Sequence, residues 1–256
     1  MLPASPEALA LLLVLVFLVA AAYASVGHGG ASGYLAVLSF FGLAPAAMAS
    51  GALMLNLLVA GLSFQAYYRA GHFRWRLLWP FLVASIPAAF IGGLVNVPSK
   101  AYMAVLGAVL VFAALRLAFA ADAREAGTPV ADEPGRLPLA AALPAGAGIG
   151  FLSGLIGVGG GIFLSPLLIL MKWADTRRTA AVSAAFIWIN SAAGLYGHLS
   201  RWTLNWRELA WLVAAAFAGG LTGSQLGARR FGGLWQRRIL AAVLLLAAVK
   251  LFRTAF

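Results

Sequence analysis

Apolar positions run in long blocks along this chain and do not alternate. Residues 8–68 hold no Asp, Glu, Lys or Arg, and further uncharged blocks cover 77–99, 137–171, 179–200, 209–228 and 239–249. A membrane-spanning helix needs about 20 apolar residues, because the hydrocarbon core is ~30 Å thick and a helix rises about 1.5 Å per residue. The period-2 alternation of a transmembrane barrel is missing. The pattern therefore predicts an all-α polytopic membrane protein. Long helices are expected over 9–23, 46–68, 77–95 and 101–120, then over 139–156, 178–198, 208–228 and 234–252. Two short apolar pieces, 34–42 and 162–171, follow the first helix of each set.

What separates each first helix from its short piece is glycine. "SVGHGGASG" begins at Ser25 and "GVGGG" at Gly157. The two sets match elsewhere as well: Asn56 aligns near Asn190, Ser50 near Ser183, and "HFRWR" at His72 resembles "TLNWR" at Thr203. Matched interruptions in matched halves read as two homologous repeats, a common transporter plan. Residues 1–120 form the first transmembrane repeat and 139–256 the second, each a Gly-broken segment plus three transmembrane helices. Between them, 121–138 is a polar linker holding four of the seven acidic residues. If each broken segment crosses once, the halves are parallel, and ten of the eighteen Lys and Arg share a side with Arg69, Arg74 and Arg76. If each segment is re-entrant, the halves are inverted and thirteen share that side. Lys and Arg concentrate on the cytoplasmic side, so the inverted repeat is favoured.

Composition agrees with a membrane protein. Of 256 residues, 63% are hydrophobic and 10% charged, with mean hydropathy +0.94; ordinary globular domains carry about a quarter charged residues. Only Glu7 precedes the first apolar run as a charge, so that run is expected to remain as a span, not to be cleaved as a signal peptide. The absence of Cys excludes disulfides and thiolate metal sites. A net charge of +11 reflects basic loops and not a nucleic-acid partner. The acidic residues Glu7, Asp122, Glu125, Asp132, Glu133, Asp175 and Glu208 all fall in loops or at span ends. With no carboxylate at membrane depth to hold a cation, the substrate is expected to be anionic or neutral. "GVGGGI" loosely matches a phosphate loop, but it lacks the following Lys-Ser/Thr and the βαβ surroundings. No cofactor is implied. The expected partners are a small anionic substrate and the lipid bilayer; the sequence sets no oligomeric state.

Glycine inside an apolar helix costs roughly 1 kcal/mol against Ala, so the clusters need a reason. One is close helix packing. The other is a substrate site: in lipid, non-helical backbone persists only where protein buries it or it lines a cavity, and a broken helix frees N–H groups that suit an anion. Matched positions in both halves favour the second. The candidate binding residues are Gly27, His28, Gly29, Gly30 and Ser32 at the first break, and Gly157, Gly159, Gly160 and Gly161 at the second. Tyr34 and Ile162 are expected to begin the short helices. His28 either donates to an anion or carries a proton, or else bonds a neighbouring carbonyl; Val158 takes its place in the second half. Asn56, Asn190, Ser50 and Ser183 either line the cavity or join helices by hydrogen bonds. His198, at a span end, is expected at the interface.

"GASG" at Gly30 also fits the GxSG pattern of rhomboid intramembrane serine proteases, with Ser32 as nucleophile. Such chemistry needs a His base within hydrogen-bond reach, and only His198 is available for that role. The duplication has no place in that reading, which stays the weaker one, and the chain is expected not to be an enzyme. An anion channel remains a further alternative.

The two openings "GHGGASGYL" and "SGLIGVGGGIFLSPLLIL", the spacing from the second glycine cluster through Pro166 to "TAAVSAAF", and "RAGHFRWRLL" together resemble the TauE/SafE family of sulfite and organosulfonate transporters over nearly the whole chain. The resemblance implies a multi-pass protein of the cytoplasmic membrane. It also implies transport, often export, of sulfite, sulfoacetate or related sulfonates. An inside-negative potential would drive a monoanion outward by roughly 2.3 kcal/mol per 100 mV.

Overall fold

The computed structural model describes residue 3 and residues 5–25, 27–119, 138–201, 205–227 and 234–256. The expected linker therefore lies outside the described residues except for Pro138, as does Thr203. Among the described residues there are ten α-helices, one 3-10 turn and no strand. They are α1 (Pro6–Ala24), α2 (Ala31–Phe40), α3 (Pro45–Arg69), α4 (Trp75–Leu94), α5 (Ser99–Phe119), α6 (Leu139–Ile156), α7 (Gly161–Leu170), α8 (Thr176–His198), α9 (Trp206–Gly227) and α10 (Leu234–Ala255). Six of them, α1, α3, α4, α5, α6 and α8, are long and apolar enough to cross a membrane.

Local chemistry explains several of the starts. Ser5 caps α1 by accepting from the Ala8 N–H at 3.3 Å, and Asp175 caps α8 by accepting from the Arg178 N–H at 2.8 Å. Pro45 opens α3, where its missing N–H costs nothing. The short helices begin differently. Gly30 precedes α2 at φ 95° and Gly160 precedes α7 at φ 81°, and neither supplies a side-chain cap. That left-handed geometry is nearly free for Gly and strained for other residues. It starts α2 at Ala31, three residues before the expected Tyr34, and α7 at Gly161, one before Ile162.

Helix directions follow from side-by-side pairs. On α6, Gly146, Gly150 and Gly154 lie so close to Phe81, Ser85 and Ala89 of α4 that a Cβ on any of them would strike the α4 backbone. The shared four-residue step means that α4 and α6 run parallel in a small-xxx-small contact. Gly219 and Gly223 of α9 meet Phe17 and Ala21 of α1 in the same way, so that pair is parallel too. At the centre α3 and α8 are antiparallel: Leu53 lies by Gly194, Asn56 bonds Ser191, and Gly61 lies by Trp188. Gly93 of α4 meets the Gly194 carbonyl and Gly197, which sets the ends of α4 and α8 together.

Two V-shaped units result. α6 runs from the end of the bundle that holds Arg69 toward the opposite end, where His198 Nε2 pairs with the Gly154 carbonyl at 2.7 Å. α7 then returns antiparallel to α8, with Ser165 beside Ser183 and Gly161 beside Ile187. α1 enters from the His198 end and reaches Gly27, which lies against Tyr67 and Ala180. α2 returns toward the start of α3, where Lys250 Nζ of α10 holds the Ser39 and Phe40 carbonyls at 2.6 and 3.0 Å. The two units point in opposite directions and overlap at the middle of α3. His198 is 2% exposed, so it packs between helices and not at the interface expected for it.

Candidate functional site

Between the two breaks lies a small cavity of ≈ 10 Å³, about the room one water needs. Its wall combines Tyr23, His28, Gly29, Gly30, Ala31 and Ser32 from the first unit, Val158, Gly161 and Ile162 from the second, and Asn56 and Ile187 from α3 and α8. The uncapped starts of α2 and α7 both reach it. The first N–H groups of a helix have no partner within the helix and carry partial positive charge. Two such starts meeting in one cavity form a donor-rich, positively polarised centre without a charged side chain.

Asn56 ties the centre together. It is 1% exposed, and its Nδ2 donates to Ser191 Oγ at 2.9 Å. A Cβ on Gly29 would collide with Asn56 Oδ1, and one on Gly159, at φ 75°, would collide with its Nδ2. The glycines thus let the two breaks close on one amide from both sides. Asn56 Oδ1 is buried without a partner among the described residues; an acceptor so placed costs about 1–3 kcal/mol.

A second polar chain leaves the cavity toward the Arg69 end. His28 Nε2 lies 3.0 Å from Ser165 Oγ, and Ser165 Oγ donates to Ser183 Oγ at 2.9 Å. Since the Ser165 hydrogen is directed at Ser183, the His28 nitrogen is the donor to Ser165. His28 thereby joins the first break to the second short helix.

The remaining candidates separate. Gly27 supports the tip of the first break against Tyr67, Gly157 supports the tip of the second against Ala49, and Gly160 fits between Phe186 and Ile149. Ser50 bonds the Ala46 carbonyl, and Asn190 Nδ2 bonds the Phe186 carbonyl, so neither is on the cavity wall. Ser32 pairs with Tyr23 across 2.8 Å, while His198 serves Gly154. Tyr23, Ser165, Ser191 and Ile187 were not singled out by the sequence. Ser191 follows Asn190 and Ser165 precedes Pro166, but only the helix crossings bring them to the centre. The larger concavity, ≈ 580 Å³, is an open groove on α3 lined by Leu57, Leu58, Leu62, Phe64 and Trp188. Its wall is mostly apolar, with Gln65 and Tyr68 as its polar side chains.

Long apolar helices around a buried polar centre built from discontinuous helices define a multi-pass membrane transporter. The chain belongs to the sulfite exporter TauE/SafE family, whose model matches residues 12–251. It is 39% identical over 235 residues to the probable membrane transporter protein y4hK of Sinorhizobium fredii, covering 92% of this chain and 94% of that one. Shorter matches join it to the probable membrane transporter proteins YunE of Bacillus subtilis, 32% identical over 78 residues (30% of this chain, 29% of that one), and MJ0441 of Methanocaldococcus jannaschii, 43% identical over 51 residues (20% and 19%). No solved structure gives a significant match.

Proposed function

We propose that this protein carries small sulfur-containing anions, sulfite, sulfoacetate or related organosulfonates, outward across the cytoplasmic membrane by alternating access. The convergence of two uncapped helix starts and Asn56 on one cavity carries the reading. Such a centre favours an anion, and the family's description as sulfite exporters agrees with it. The substrate-binding groups are His28, Gly29, Gly30, Ser32, Asn56, Gly159 and Gly161, with Gly27, Gly157, Gly160 and Ser183 shaping them and Ser50 and Asn190 supporting the helices behind.

The opposed V-shaped units support an inverted repeat, with residues 1–120 and 139–256 as its halves and each broken segment re-entrant from its own side. Arg69, Arg74, Arg76, Arg116, Lys172, Arg177 and Arg178 then gather at one end, the cytoplasmic one. A cavity with room for one water holds no sulfite while closed. Binding therefore requires the two units to part, which favours a carrier over a standing channel.

The test is sulfite counterflow in proteoliposomes. Saturable counterflow is expected from the native chain. Gly160→Val should abolish it while the protein still inserts, because φ 81° strains a branched residue and Phe186 and Ile149 leave no space. Normal counterflow in that variant would overturn the proposed site.

A further inference from the structure

The cavity wall is rich in donors. Ala31 and Ser32 open α2, Gly161 and Ile162 open α7, and all four line it. The N–H groups of a first helical turn have no partner inside their helix. Each helix start carries roughly half a positive elementary charge, so the two together match about one negative charge. The hydroxyls of Tyr23 and Ser32, on the same wall, pair with one another across 2.8 Å.

One wall atom asks for the opposite. Asn56 Nδ2 is committed to Ser191, which leaves Asn56 Oδ1 as an acceptor. Of the buried side-chain polar atoms without a partner among the described residues, it is the one that belongs to the cavity wall. The first break closes on it, since a Cβ on Gly29 would strike Oδ1. A carbonyl oxygen only accepts. A ligand that fills the cavity shuts water out of it. Oδ1 then either receives a hydrogen from that ligand or is stranded, with the full desolvation penalty of a buried, unpaired acceptor.

We propose that the cavity selects singly charged sulfur oxyanions that bring their own hydrogen-bond donor, with Asn56 Oδ1 as the acceptor. The inference rests on the anion-carrier reading and narrows its substrate class. Sulfite is taken as hydrogensulfite, the monoanion that keeps a proton, in preference to the dianion. An organosulfonate qualifies when a hydroxyl or amino group lies beside its sulfonate. The two demands agree: the helix starts match one negative charge, and the hydrogen that reduces the dianion to a monoanion is also one that Oδ1 can accept. A site built to hydrogen-bond one group of its ligand rejects the analogue lacking it far more strongly than an apolar pocket rejects a missing methylene, because the site's own partner is left unpaired.

The test compares sulfamate with methanesulfonate, bound to the full chain in lipid nanodiscs and followed by calorimetry. Both are monoanions of nearly the same size at neutral pH, and they differ in an amino group against a methyl group on sulfur. The native chain should bind sulfamate at least about tenfold more tightly. That comparison needs no variant. Asn56→Leu and Asn56→Ala both remove the acceptor and should lose the preference. Ser191→Ala keeps Oδ1 in place and should retain it. Equal affinities in the native chain, a preference for methanesulfonate, or an undiminished preference in the Asn56 variants would overturn the donor requirement and leave the anion site standing. Binding of neither anion by the native chain would overturn both the requirement and the carrier reading beneath it.

Discussion

Asn56 of α3 donates through Nδ2 to Ser191 of α8 at 2.9 Å, at the level where both helix breaks arrive. This bond joins residues 135 positions apart and places one amide between Gly29 and Gly159.

Gly29→Ala and Gly159→Ala should each lower sulfite counterflow at least about tenfold. Both introduce a Cβ that collides with Asn56. Gly159 adds the strain of φ 75°, about 1–2 kcal/mol for an L-residue, while Gly29 tests space without that strain. Gly148→Ala is the control, since a Cβ there meets nothing within 4 Å. It should leave flux unchanged.

Replacing Asn56 by Asp preserves shape and adds negative charge where the anion is to bind. Two unit charges about 4 Å apart repel by about 4 kcal/mol at an effective dielectric of about 20. Asn56→Asp should therefore fall below detectable anion binding, and Asn56→Ser should bind more weakly than the native chain but better than Asp. Equal binding by all three would show that Asn56 does not face the anion.

The α4–α6 seam predicts a different kind of failure. Gly150→Leu drives a side chain into the Ser85 backbone. Overpacking of this sort costs about 1–3 kcal/mol or more. Yield and thermal midpoint should drop, with anion affinity preserved in whatever protein remains folded.

Lys250 holds the C-terminal carbonyls of α2 from α10. A cation at a helix C-terminus contributes about 0.3–1 kcal/mol. Lys250→Met should lower stability by that order, read as a small drop in thermal midpoint, and Lys250→Arg should recover most of it.

Sidedness can be read without background, because the chain has no cysteine. In the inverted arrangement, Arg74→Cys should label from the cytoplasmic side, and Asn205→Cys and Lys100→Cys from the opposite side. Labelling of Arg74→Cys and Asn205→Cys from the same side would return the parallel arrangement.

The rhomboid-like pattern shows why a short motif says little here. Its Ser32 is engaged with Tyr23 on the neighbouring helix, and its proposed base, His198, packs on Gly154. Four residues of sequence cannot state which hydroxyl and which imidazole meet. The glycines make the same point. Gly154 stood in the quoted cluster beside Gly159, yet it serves the contact with Ala89, whereas Gly159 admits Asn56.

Much of the architecture could be read along the chain. Span length and helix breaks are properties of a single segment: a bilayer fixes how many apolar residues a helix needs, and glycine runs mark where it stops. The sequence by itself therefore determined the membrane class, the order of long and short helices, both breaks, and the presence of His28 within the first of them. Tertiary structure decided how these parts work together. Helix crossings brought Asn56 to Ser191 and His28 to Ser165, set Asn190 and Ser50 back from the cavity, and gave the two V-shaped units opposite directions. Those outcomes depend on which faces of distant helices meet, and in an apolar medium close packing of small residues and hydrogen-bond geometry choose the faces, not hydrophobicity.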